Sequence, residues 1–183
     1  MDMKKLNKKG FTLIELLAAM VILAAIMAIA VPNIMGILNN SKANAYVEDA
    51  KKLLSLAEYE FRGDPTKSPT PGNCVVMNLS YLDNSEFENA PNNGSYDKDN
   101  SYVMIVNVGT VGKNKYKYYV TLDEKISGGT HRGVAFKSYE ELYSDKSTNL
   151  IKNSASALAT ASSKRSSAGC TTIIKTYSSA DLG

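Results

Sequence analysis

The chain has 183 residues, with apolar and charged fractions of 44% and 21%, which is ordinary for one folded domain with a sizeable core. Its net charge is +3, and Lys4, Lys5, Lys8 and Lys9 against Asp2 carry all of it: taking those from 21 basic and 18 acidic residues leaves 17 of each. That balance argues against a basic domain built for nucleic acid, and it marks the N-terminus as a positive-inside retention signal.

The first element in chain order is apolar. From Leu16 to Val31 there is no polar side chain, and with the flanks Phe11 and Leu38 the run reaches 28 residues. Only Thr12, Glu15, Pro32, Asn33 and Gly36 interrupt it, so it is long enough to span a bilayer. Glu15 is the anomaly, since a carboxylate inside such a run costs about 2 to 3 kcal/mol by insertion scales.

Three devices begin with a basic start and an apolar run. A secretory signal peptide has Ala28-Ile29-Ala30 as its cleavage site, but Glu15 and Pro32 count against it. A plain membrane anchor explains the length and leaves Glu15 unexplained. A cut after Gly10 explains both. Phe11 then carries a new α-amino group one helical turn from Glu15, and each unpaired charge becomes a docking constraint between copies.

The stretch Lys8-Lys9-Gly10-Phe11-Thr12-Leu13-Ile14-Glu15-Leu16-Leu17 resembles the prepilin signal of type IV pilins and pilin-like proteins. The resemblance implies that a dedicated membrane peptidase removes residues 1–10 after Gly10 and that Phe11 becomes N-methylphenylalanine. It implies that Glu15 registers incoming subunits. It also implies that the helix loosens near Pro32 when subunits pack into a fibre. It is clear over residues 4–62 and is one of architecture beyond them.

The helical period continues past the apolar run. Ala43, Tyr46, Val47, Ala50, Leu53, Leu54, Ala57 and Phe61 recur at spacings of three and four, with Glu48 and Lys52 as an i,i+4 pair between them. Gly63 and Pro65 stop the pattern. A helix from Phe11 to Arg62 is about 78 Å long. Residues 11–38 are apolar all round and need lipid or other copies; residues 39–62 have one apolar stripe and pack on a globular part, 63–183. Pro32 has no backbone N–H and is expected to kink or loosen the helix.

Residues 63–100 read as a long connecting segment with a short element near Cys74 to Leu82. Ser101–Val108 and Lys115–Leu122 read as a hairpin, Gly133–Ser138 as a third strand, Tyr139–Tyr143 as a helical turn, and Thr171–Tyr177 as a last strand. Asn153–Ser167 is balanced between helix and loop. The expected fold class is α+β, a long N-terminal helix with an antiparallel sheet across its amphipathic half, as the pilin resemblance also implies.

Cys74 and Cys170 are the only cysteines, and in an exported domain an even count favours one disulfide. The better-known pilin disulfide encloses a shorter C-terminal segment. Asp97, Asp99 and Ser101 resemble the start of a calcium loop, but Tyr102 replaces its glycine and Val108 its bidentate glutamate, so a solvated loop is expected. His131 is the only histidine and reads as structural or surface. Lys113, Lys115, Tyr116, Lys117, Tyr118 and Tyr119 could bind single-stranded nucleic acid, but alternate as a half-buried strand does. Asn78-Leu79-Ser80 and Asn93-Gly94-Ser95 match sequons that are common by chance.

No catalytic set emerges, and neither an enzyme nor a cofactor is expected. The expected role is a structural subunit of a type IV pilus. It waits in the cytoplasmic membrane and then joins an extracellular filament with copies of itself and other pilins, through the prepilin peptidase and the pilus assembly machinery. The alternatives are a minor pilin or adhesin, a pseudopilin of a secretion or DNA-uptake machine, and a secreted globular protein.

Overall fold

A computed structural model describes residues 11–82, 86–152 and 170–173. It divides at Asn39 and Asn40 into an N-terminal unit and a globular unit, and helix α1 (Leu13–Gly63) supplies the described part of the first and the start of the second. In the globular unit α1 buries Ala43, Tyr46, Val47, Ala50, Leu53, Leu54, Ala57 and Phe61, the stripe expected from its period. Large apolar side chains such as Val47, Leu53 and Leu54 each stabilise the fold by about 1.5–3 kcal/mol when fully buried. The outward side is laced with ion pairs, but Glu48 pairs with Lys51 at 2.8 Å rather than with the expected Lys52, which pairs with Asp49 at 3.4 Å. Both are i,i+3 contacts, which a helix accommodates as well as i,i+4. The helix ends at Gly63, and Asp64 caps the tight turn Pro65–Lys67 by accepting from the Thr66 amide at 3.0 Å.

The strands are β1 (Cys74–Asn78), β2 (Ser95–Tyr96), β3 (Tyr102–Asn107), β4 (Tyr116–Ile126), β5 (Thr130–Ser138), β6 (Ile151–Lys152) and β7 (Thr171–Ile173). Short helices α2 (Leu79–Leu82), α3 (Tyr139–Ser144) and α4 (Ser147–Leu150) lie between them. Among the described residues these strands form one sheet in the order β6-β5-β4-β3-β1-β7, with β2 paired to β4. Every pairing is antiparallel except β1 with β7, which is parallel. The first segment after the helix is therefore more than a connection. Its strand β1 sits inside the sheet, buried on both faces: Val75 and Met77 join the core under α1, while Cys74 and Val76 join a second cluster with Tyr102 and Met104.

β4 runs opposite to α1. Its start lies against Phe61, with ring centroids 4.8 Å apart for Tyr116 and 6.4 Å for Tyr118, and its end reaches Tyr46 through Glu124. Between β4 and β5 the register shifts at Val120 and Leu122. There Phe136 has φ 46°, in the left-handed region, its amide donates to Thr121 Oγ1 at 3.2 Å, and its ring stacks on Tyr119 at 4.8 Å. An extra residue on one strand of a pair produces such a bulge. Asn153–Ser167 and the last residues of the expected Thr171–Tyr177 strand, 174–177, lie outside the described residues, as does Gly10.

Candidate assembly site

Among its described residues the N-terminal unit exposes almost every apolar side chain. Phe11, Leu13 and Ile14 are more than 70% exposed, and the window of α1 apolar enough to cross a membrane is 0% buried. By length and composition this helix can span a bilayer. Helical structure passes unbroken through Pro32. Proline still leaves the carbonyl of Ala28, four residues earlier, without its usual donor. One residue on, Asn33 Nδ2 donates to the Ile29 carbonyl at 3.1 Å, a local side-chain bond of the kind that loosens rather than reinforces a ladder.

Glu15 has a partner in its own chain. The carboxylate accepts from the Thr12 amide and from Thr12 Oγ1, both at 2.8 Å, and the Glu15 amide donates back to Thr12 Oγ1 at 3.3 Å. This is a capping box: Thr12 flanks the first helical residue, Glu15 is the third, and two of the orphan N–H groups at the helix start are satisfied reciprocally. Thr12-Leu13-Ile14-Glu15 spells that box in the sequence, a role for Glu15 beside the contact expected between copies. The cap still leaves Glu15 exposed, with oxygen lone pairs open to a further donor.

In the globular unit Asp97, Ser101 and His131 all meet Asp123: the Asp97 amide donates to the Asp123 carbonyl at 2.7 Å, the Asp123 amide donates to Ser101 Oγ at 3.0 Å, and His131 faces the Asp123 carboxylate. Cys74 and Cys170 are bridged, with Cα atoms 4.7 Å apart across a separation of 96 residues. The bridge holds the strands β1 and β7 side by side. Asp97 corrects the expectation of a solvated loop, because it is buried. Its oxygens accept from the amides of Asp99 (3.1 Å) and Asn100 (3.2 Å) and from Asn100 Nδ2 (2.8 Å), and Lys125 Nζ lies at 2.9 Å. Burial raises the Asp97 carboxyl, but the lysine and the donors outweigh it and hold it below the usual carboxylate range. The carboxylate thus closes a turn, and its oxygens are taken. Asp123, whose carboxyl burial pushes upward against the pull of His131, receives His131 Nδ1 at 3.0 Å. Tyr116 and Tyr118 face α1, Lys117 is exposed, and Tyr119 lies on the opposite face, the geometry of a half-buried strand. Asn78 is buried and donates to the Asp99 carbonyl at 3.1 Å, which occupies the amide of that sequon.

A buried carboxylate was not foreseen. Glu124 is 0% exposed and accepts from the phenol of Tyr46 and from the amides of Asn92 (3.2 Å) and Gly94 (2.8 Å). Asn92 Nδ2 donates in turn to the Tyr46 oxygen at 2.6 Å, and the Arg132 guanidinium lies 5.6 Å from the Tyr46 ring centre. Burial and the hydrogen bond to Glu124 push the Tyr46 phenol far above its usual range, and burial with Asp49 does the same to Tyr96. This network fastens the loop before β2 to the helix.

The family model described as the prokaryotic N-terminal methylation motif matches residues 5–31. The N-terminal unit thus carries a methylation signal that supports a pilin-like protein. That motif is the type IV prepilin signal, shared by pilins and pseudopilins, and it points to a structural protein rather than an enzyme family. The match ends at Val31 and so speaks for the N-terminal unit. No curated protein and no solved structure matches the chain. The signal, the apolar helix and the helix-on-sheet globular part each fit a pilin-like arrangement.

Proposed function

We propose that this precursor is a subunit of a type IV pilus. The prepilin peptidase cuts after Gly10 and methylates the new amine of Phe11, and the chain waits in the cytoplasmic membrane through residues 11–38. It is then drawn into an extracellular filament whose core is made of these helices. Burial of the apolar helix against copies drives association. Glu15 exchanges part of its cap for the amine of a neighbouring Phe11, which sets the register. Pro32 marks where the ladder gives way as the helices pack.

The observation that carries this reading is the wholly exposed apolar helix headed by a matched methylation motif. Such a surface needs lipid first and other helices later. The test is the intact mass and first residue of the mature chain from its native host. A chain that begins at N-methylated Phe11 and is recovered in sheared surface fibres is expected. A chain beginning at Val31 overturns the proposal, because it has lost Glu15 altogether.

A further inference from the structure

Two features of the globular unit remain without a role. One is the turn between β3 and β4, which lies at the C-terminal end of α1 because β4 starts against Phe61. Its tip, Val111, is 94% exposed, and Val108 is 46% exposed. The turn is held stiff from beneath. Fully buried Asn107 accepts from the amides of Gly109 (3.0 Å) and Lys115 (3.3 Å) and donates to Pro69 and Asn114. Gly109 lies so close to the Lys113 carbonyl that no Cβ fits there. Lys113 and Lys115 are exposed and form no ion pair among the described residues, and the sequence has no acidic residue between Asp99 and Asp123.

The other is an open groove of about 590 Å³ on the outward side of α1, lined by Lys51, Lys52, Leu56, Tyr59, Glu86 and Tyr143 among others. Its lysines are already engaged: Lys51 with Glu48 and over the Tyr143 ring at 4.7 Å, Lys52 with Asp49. Glu86 forms no ion pair among the described residues, and Tyr59 is 76% exposed. The charge left open in the groove is therefore negative, beside an aromatic face.

We propose that the Val111 tip of one copy seats in this groove of the next, with Lys113 and Lys115 meeting Glu86 and the ring of Tyr59. The inference rests on the reading that the chain assembles with copies of itself. It adds a contact between globular units to the contact between apolar helices. A branched aliphatic side chain fits against Leu56 and two tyrosine rings, and an ammonium is attracted by a ring face. A turn already held in one conformation gives up little freedom on docking. Tip and groove are different patches, so the contact is heterologous, the kind that an open helical filament repeats from copy to copy.

The test places a photo-crosslinking amino acid at position 111 of the full chain, in the host, and maps the crosslinked peptides in sheared filaments. Crosslinks into the peptides that hold Tyr59, Glu86 or Tyr143 of another copy are expected. Lys113→Glu with Lys115→Glu should cut their yield roughly three- to tenfold, and adding Glu86→Lys should restore part of it. All these positions are exposed, and recovery of the intact disulfide in each variant checks that it folds. Filaments whose position 111 crosslinks elsewhere, or not at all, overturn the groove contact and leave the pilus reading standing. Processed chain that makes no filament under microscopy, in the unsubstituted protein, overturns the pilus reading itself and the groove contact with it.

Discussion

Tyr46→Phe removes one oxygen from the interior. In the native chain that oxygen donates to Glu124 and accepts from Asn92 Nδ2. Without it, Oε1 of Glu124 keeps the amides of Asn92 and Gly94, while Oε2 loses its phenol donor inside a residue that is 0% exposed. A hydrogen bond to a charged group is worth about 1.5–3 kcal/mol, and a buried acceptor left open adds to the cost. For a globular unit of this size that becomes a fall in Tm of roughly 5–10 °C. Thermal unfolding followed by circular dichroism on the full chain measures it, and a fall below about 1 °C refutes the accounting. The pH dependence supplies a second arm. Tyr46 releases its proton at higher pH folded than unfolded, so its contribution is complete below the ordinary phenol range near 10 and is lost as pH rises beyond it. The native chain should lose stability above about pH 10 more steeply than the variant, by up to about 1.4 kcal/mol per pH unit. Identical alkaline slopes would show that the Tyr46 phenol titrates alike in both states.

Glu15→Gln keeps an acceptor for the Thr12 cap but removes the charge; processing should continue while fibre yield collapses. Normal fibres by electron microscopy would reduce Glu15 to a helix cap. Replacing Gly10 by Leu should leave the leader attached, read as an unshifted mass on immunoblot and mass spectrometry; normal maturation would move the cut elsewhere. Removing the bridge with Cys74→Ala and Cys170→Ala should cost roughly 4 to 5 kcal/mol, since the two residues close a loop of nearly a hundred residues in the chain-entropy model. Denaturant titration of both forms reads that difference, and equal midpoints would contradict it.

The readable parts of this sequence were those with a period. The stripe from Ala43 to Phe61 named the buried face of α1 residue by residue, and the Val- and Tyr-rich runs on either side of the 109–114 turn named β3 and β4. The short element near Cys74 to Leu82 was legible as an element but not as a strand, because Cys74 to Asn78 is buried on both faces and no alternation marks it. The Glu124 network was unreadable for another reason. Its members, Tyr46, Asn92, Gly94 and Glu124, come from three distant segments, and only the pairing of β2 with β4 brings the loop to the carboxylate. At the assembly site the motif from Gly10 to Glu15 was plain. The Thr12 cap was written there too, but a carboxylate in an apolar run draws attention to the membrane before the helix end.

The parallel pairing of β1 with β7 sets an order of events. β1 takes its antiparallel partner β3 across a short separation, but its other edge stays open until residues 171–173 arrive. A chain entering from its N-terminus therefore holds an unpaired inner strand edge throughout its emergence, which is the state most open to pairing with the wrong chain. Among the described residues three pairs close it, Val75 with Thr171, Val76 with Thr172 and Met77 with Ile173. The covalent link beside it converts a late encounter into a permanent one. Any truncation or stalled export that withholds the last residues should leave a membrane-held intermediate with that edge exposed, crowded among others like it.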